Sequence, residues 1–230
     1  MAVEHGSGPL VVFAGAGSGK TRVITRRVAH LIEAQRVPHY RILAVTFTNK
    51  AARELRERLE QLAPGQAGSL WVGTFHAVCA RLLRAYATQI GIRKDFVIYD
   101  DSDQKSMLTR VINGMDLDDR VFPPKQVAYR INAAKQEGKS PDAMEAHDSF
   151  ERTVREIYAE YEQRMAASSA LDFGDLIYRL VRELDQRPDM RAALKARFSH
   201  VLVDEFQDVN HVQFAFVQTL CEDHRNLCVV

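Results

Sequence analysis

Apolar residues fall along this chain in two rhythms. Short unbroken runs recur: Leu10-Val11-Val12-Phe13-Ala14, Ile42-Leu43-Ala44-Val45, Leu70-Trp71-Val72, Phe96-Val97-Ile98-Tyr99, Val201-Leu202-Val203 and Leu227-Cys228-Val229-Val230. Runs this short and this continuous predict strands of a sheet covered on both faces. Between them the spacing lengthens to that of a helix. Val23, Ile24, Val28, Leu31 and Ile32 share one face over residues 20–34. Ala52, Leu55, Leu59 and Leu62 do so after Asn49, and Phe75, Val78, Leu82 and Leu83 after Thr74. Alternating strands and helices predict an α/β domain with a mainly parallel sheet.

Residues 100–170 break that alternation and read as helices throughout. Asp101 and Gln104 have the spacing of a capping box. Pro123-Pro124 suits a helix start, and Phe150 to Met165 is long and amphipathic. The expected organisation is therefore an α/β domain in two parts, 1–99 and 171–230, with an all-helical insertion at 100–170.

Composition changes this picture little. The 230 residues, 46% hydrophobic and 27% charged, describe an ordinary globular chain long enough for one large domain with an insertion. Cys79, Cys221 and Cys228 are scattered, which fits a reducing cytosol better than a disulfide framework. The eight histidines show no metal-binding spacing. No apolar stretch is long enough to span a bilayer, no signal peptide is visible, and no repeat has a fixed period. Charge is more informative. The net value of +1 conceals 14 Lys/Arg against 4 Asp/Glu in residues 15–94, and 17 against 25 in residues 95–230. Such asymmetry marks either a polyanion-binding face or solvated helix surfaces.

The candidate chemistry begins after the first apolar run. Ala14-Gly15-Ala16-Gly17-Ser18-Gly19-Lys20-Thr21 joins a predicted strand to a predicted helix, the context of a phosphate-binding loop. Its glycines let backbone N–H groups curl around phosphate oxygens at a helix N-terminus. Lys20 would reach the β- and γ-phosphates and Thr21 would ligate Mg²⁺. The generic pattern opens on Gly, where this sequence has Ala14. Further on, Val201-Leu202-Val203 ends in Asp204-Glu205. In phosphate-loop proteins such a strand is expected beside the loop. Asp204 would hold Mg²⁺, and Glu205 would orient and deprotonate a water attacking the γ-phosphate. A water-activating carboxylate points to hydrolysis.

Five strings, taken in order, resemble the motifs of superfamily 1 DNA helicases of the UvrD/Rep type. They are 14–21 above, Ala-Val-Thr-Phe-Thr-Asn-Lys-Ala-Ala (44–52), Gly-Thr-Phe-His (73–76), Leu-Asp-Phe-Gly-Asp-Leu (171–176) and Asp-Glu-Phe-Gln-Asp (204–208). The resemblance extends from Gly8 to Val230. It implies a RecA-like motor domain carrying a helical insertion, with ATP and Mg²⁺ as cofactors and a place in the bacterial cytosol or nucleoid. It further implies that Gln207 links nucleotide state to a second motor domain, and that Arg22 lies near the adenine, where a guanidinium can stack. The implied partner is single-stranded DNA or a single-strand/duplex junction, with 3′-to-5′ movement of the parent protein. Thr46, Asn49 and Thr74 would lie near backbone phosphates. Phe47, Phe75, His76 and Phe173 are candidates for contact with bases. Phe75 and Phe173 read equally as core residues of their helices, and His76 as a supporting hydrogen-bond partner.

The sequence departs from the family in having no glutamine before Gln35, so the family's adenine-reading motif does not precede the loop. Val230 falls where the resemblance implies that the motif coupling ATP to DNA would follow, so the chain reads as part of a helicase, binding Mg·nucleotide weakly and hydrolysing it barely. Two other readings compete. A phosphate-loop kinase of small substrates would lack a water-activating glutamate. A nucleotide- or DNA-binding module without turnover would differ only in activity. A GTPase would need Asp where Ala52 follows Asn49-Lys50.

Overall fold

The structure, a computed structural model, describes residues 2–13, 15, 19–62, 64–65 and 70–230. They form two compact units, one of residues 1–79, 184–209 and 213–230, the other of residues 80–183 and 210–212.

The first unit is built on five parallel strands: β1 (Leu10–Val11), β2 (Ile42–Thr46), β3 (Trp71–Thr74), β6 (His200–Val203) and β7 (Leu227–Val229). Their order across the sheet is β1-β7-β6-β2-β3. Helices α1 (Lys20–Glu33) and α2 (Asn49–Leu62) supply one covering layer. Ile24, Val28, Leu31 and Ile32 of α1 and Leu55 and Leu59 of α2 pack with Ile42, Ala44, Val72, Leu202 and Cys228 of the strands. Successive strand residues point to opposite faces. Leu43, Val45, Val201 and Val203 are therefore on the other face, and they too are buried. This double burial is what the unbroken apolar runs predict, and it suits a parallel sheet. Trp71 packs edge-on against Phe198 at 5.4 Å, with the Arg197 guanidinium 4.6 Å from its ring.

One expectation needs correction here. The first strand is shorter than the run Leu10 to Ala14. It pairs only with β7, Leu10 to Cys228 and Val11 to Val229, and Phe13 beyond it is 94% exposed. An edge strand with a single neighbour offers fewer partners to hold its end. The acid-bearing strand β6 is separated from β1 by β7.

The second unit carries α4 (Asp101–Gly114), α5 (Pro124–Gln136), α6 (Ser149–Ala167) and most of α7 (Phe173–Gln186). The chain enters it within α3 (Phe75–Tyr86) and leaves it within α7. Its core includes Leu108, Val111, Ile112, Val127, Ile131, Val154, Ile157 and Tyr161. No strand occurs between Asp101 and Ser169 among the described residues. The apolar run at 96–99 forms β4 (Val97–Tyr99), which pairs in parallel with β5 (Ala170–Asp172) as a separate two-stranded sheet. The capping box of α4 sits one residue earlier than its spacing predicts. Asp100 accepts from the N–H groups of Ser102 and Asp103, and Asp103 accepts from Asp100. Because the helix begins at Asp101, Gln104 is too far along to reach back, and it is buried elsewhere.

The last helices, α8 (Pro188–Arg197) and α9 (His211–Cys221), flank β6 in sequence. No helix among the described residues is long and apolar enough to cross a membrane.

Candidate functional site

The candidate residues of the first unit converge because its strands run parallel. Their carboxyl ends all lie on one edge of the sheet, where open α/β sheets bind ligands. Gly19 caps α1 with φ 93° and ψ 27°, a left-handed conformation that glycine adopts without strain. Lys20 follows as the first residue of α1, and its Nζ donates to Glu205 Oε2 at 2.8 Å. Ala14, Ala16, Gly17 and Ser18 of the predicted loop lie outside the described residues, and Gly15 is exposed. Arg22 projects from the first turn of α1 and is exposed.

At the end of β6 the backbone turns sharply. Asp204 still pairs with the sheet, its N–H donating to the Val45 carbonyl at 3.0 Å. Glu205 then takes φ 51° and ψ 47°, a left-handed conformation unusual for a residue with a side chain. Strain of this kind collects at functional sites. The turn separates the two carboxylates. Asp204 is 3% exposed, is hydrogen-bonded by the Thr21 hydroxyl, and keeps Oδ1 without a partner. Glu205 faces outward and accepts from both Lys20 and Gln207. Burial, and then the charge on Glu205, push the Asp204 carboxyl above its ordinary range. The bond from Lys20, then that from Gln207, hold Glu205 below its own. The same ion pair raises Lys20. A groove of about 230 Å³ lined by Val12, Phe13, Lys20, Phe206, Gln207 and Val230 opens beside the pair.

These groups fit a magnesium–nucleotide. A buried carboxylate with one unpartnered oxygen, beside a threonine hydroxyl, supplies two hard oxygen ligands. Among the described residues no cluster of three or more His, Cys, Asp or Glu could hold a metal by itself. The cation would complete its shell with phosphate oxygens and water, as Mg²⁺ commonly does.

The candidate nucleic-acid residues of this unit sit at the ends of β2 and β3. Thr46 pairs in register with Thr74, and both are buried. The Thr74 hydroxyl accepts from the Ala77 N–H, capping α3, as Thr48 does from Ala51 in α2. Phe47 is half-buried and packs edge-on against Phe75 at 5.7 Å. Phe75 is only 1% exposed, so of its two readings the structure has the core one. His76 is half-buried, and that burial lowers its pKa. Asn49 is exposed. In the second unit Phe173 is 48% exposed at the start of α7. Sequence reasoning missed Lys135, which is wholly buried among Asp172, Asp175 and Glu162. The available signal was a lysine on the apolar face that Val127 and Ile131 define in α5.

A parallel sheet feeding a Lys-Thr helix, with an Asp-Glu pair on its carboxyl edge, defines a RecA-like phosphate-loop motor domain. The comparisons with known proteins narrow the class. The chain belongs to the UvrD/REP helicase N-terminal domain family, whose model matches residues 1–230. It is 42% identical over 231 residues to the ATP-dependent DNA helicase PcrA of Staphylococcus aureus (strain Mu50), covering 100% of this chain and 32% of that protein. The proteins of that name from Staphylococcus epidermidis and Bacillus subtilis (strain 168) are 40% and 39% identical over the same length, covering 32% and 31% of those proteins. The chain thus spans about a third of the length of these relatives.

Proposed function

We propose that this chain is the ATP-binding and DNA-binding motor part of an ATP-dependent DNA helicase acting in the bacterial cytoplasm or nucleoid. The observation that carries the reading is the division of labour between two adjacent acids. Asp204 is buried with a free oxygen beside Thr21, while Glu205 is turned outward against Lys20.

In this account Lys20 exchanges the Glu205 carboxylate for phosphate oxygens when nucleotide arrives, helped by the positive end of α1. Thr21 and Asp204 would hold Mg²⁺, which would supply neutralisation of phosphate charge. Glu205, released from Lys20 and kept ionised, orients a water and takes its proton. Gln207 donates to Glu205 and fixes its carboxylate, a position from which it can also report nucleotide state to a second motor domain of the parent protein. Arg22, exposed on α1, stacks against the base. The loop of Ala14, Gly15, Ala16, Gly17, Ser18 and Gly19 is the proposed phosphate-binding segment.

Single-stranded DNA is the proposed partner, a junction with duplex the proposed substrate of the parent. Phe47 and Phe173 supply stacking faces, with Phe75 behind Phe47 and His76 as its neighbour. Asn49, which is exposed, serves the phosphate backbone, and Thr46 and Thr74, buried at the ends of β2 and β3, support that edge from beneath. The excess of Lys and Arg in residues 15–94 suits a polyanion.

Anisotropy of a labelled single-stranded oligonucleotide, read against salt, tests this. Binding should tolerate sequence changes, weaken as salt rises, and fall about tenfold in Phe47→Ala, the usual scale for one lost stacking face. Absence of binding at low salt, or affinity unaltered in Phe47→Ala, would contradict it.

A further inference from the structure

A buried polar cluster in the second unit holds Asp172 and Asp175, the acids on either side of Phe173-Gly174. Asp172 and Asp175 bond each other reciprocally. The Asp175 N–H donates to Asp172 Oδ1 at 2.8 Å, and the Asp172 N–H donates to Asp175 Oδ2 at 3.0 Å. This clamps the turn Asp172-Phe173-Gly174-Asp175 at both ends. Lys135, with no exposed surface, donates to both carboxylates, 2.9 Å from Asp172 Oδ2, and lies 2.9 Å from Glu162 Oε1. The Tyr161 hydroxyl donates to Asp172 Oδ2 at 2.8 Å, and Gln104 Nε2 at 3.0 Å. The rings of Tyr161 and Tyr158 stand 5.2 and 5.7 Å from the ammonium. Three helices, α4, α5 and α6, therefore hold the start of α7. Gly174 completes the fit. A Cβ there would come within 3.1 Å of Lys135 Cδ and 3.3 Å of Asp172 Oδ1.

An ordinary helix start needs one capping side chain. A buried ion cluster is a costly substitute, and its best-attested use is to fix one arrangement against others. What is fixed here is the residue between the two acids. Asp172 and Asp175 are 2% and 3% exposed, while Phe173 between them is 48% exposed. A ring on an immobilised turn loses little freedom when a base stacks on it, which is how preorganisation raises affinity. We infer that Lys135 is a positioning residue of the nucleic-acid surface, holding Phe173 as a rigid stacking face for a nucleobase. This rests on the reading above that Phe173 meets single-stranded DNA.

A double-mutant cycle on the full 230-residue chain tests it. Single-stranded oligonucleotide affinity is measured at low salt for the unaltered protein, Phe173→Ala, Lys135→Met and the double variant, with Mg·ATP affinity as a control. Phe173→Ala should lose about tenfold in DNA affinity. Lys135→Met should lose a similar factor, with Mg·ATP affinity unchanged. In the Phe173→Ala background Lys135→Met should cost nothing further, because it acts through the ring. Losses that multiply, or a Lys135→Met protein that binds DNA normally while Phe173→Ala does not, would overturn the inference. If Phe173→Ala binds as the unaltered chain does, or the unaltered chain binds no DNA, the underlying reading of Phe173 falls instead. Should Lys135→Met not fold, Asp175→Asn enters the same cycle. It keeps an acceptor for the Asp172 N–H while weakening the hold of Lys135. A smaller loss that disappears without the Phe173 ring supports the inference, and normal DNA affinity overturns it.

Discussion

Asp204→Asn should stabilise the protein without ligand and destroy its response to Mg·ATP. Asp204 is 3% exposed, and its Oδ1 has no hydrogen-bond partner. Asparagine keeps an oxygen for the Thr21 hydroxyl and leaves the backbone bond to Val45 intact. It removes a buried charge beside a second carboxylate. The amide nitrogen that replaces the orphan oxygen still lacks a partner, so only the difference between an ionic and a neutral group is recovered. That difference is about 1–2 kcal/mol. For a chain of this size it corresponds to a rise of about 2–8 °C in melting temperature. Trp71 is the only tryptophan and lies in the same unit as Asp204, so its fluorescence reports the relevant transition. Melts are recorded in EDTA and again with saturating Mg·ATP. The unaltered protein should gain about 2.7 kcal/mol at a hundredfold excess over Kd, and Asp204→Asn almost none, so the order of stability reverses. If Asp204→Asn melts lower than the unaltered protein in EDTA, the carboxylate serves the fold and the metal assignment fails.

Two further perturbations probe neighbouring groups. Glu205→Gln should leave Mg·ATP affinity equal or higher, because Lys20 loses its competing carboxylate, while phosphate release falls about 10²–10⁴-fold; weaker nucleotide binding, or release at the original rate, would remove Glu205 from the role of base. Burial, then the charges of Arg27, His224 and Arg41, hold the His200 imidazole down to about 4 from an ordinary 6.5. Its folded pKa lies below the unfolded value, so its contribution is complete above pH 6.5 and is lost as pH falls toward 4. Urea midpoints at pH 7.5 and pH 5 should therefore diverge less in His200→Gln than in the unaltered protein, and equal divergence would contradict that account.

Much of the fold was legible because burial on both faces leaves an unmistakable mark. β2, β6 and β7 read directly from unbroken apolar runs, and α1 and α2 from a single apolar face. β5 was hidden. It is three residues long and ends in Asp172, a residue that strand patterns exclude and that the side chains of Lys135, Gln104 and Tyr161 help make tolerable. Those partners lie between 11 and 68 positions away in sequence, beyond any local pattern. The position of β7 between β1 and β6 was equally hidden, since strand order is a property of long-range pairing. At the site, motif spacing placed Lys20 and Thr21 at the start of a helix, where α1 begins, and Asp204 and Glu205 at the end of a strand, where they follow β6. It did not reveal that the left-handed turn at Glu205 sends neighbouring acids in different directions, one buried and one bound to Lys20. Likewise Phe47 and Phe75 look alike in their motifs, and only packing buries the second behind the first.

We propose that Lys20 belongs to a nucleotide site and exchanges its bond to Glu205 for phosphate oxygens. Calorimetric titration of Mg·ATP into the unaltered chain and into Lys20→Ala tests this directly. One binding site that disappears in Lys20→Ala is the predicted result. Equal affinity in the two proteins would contradict the account.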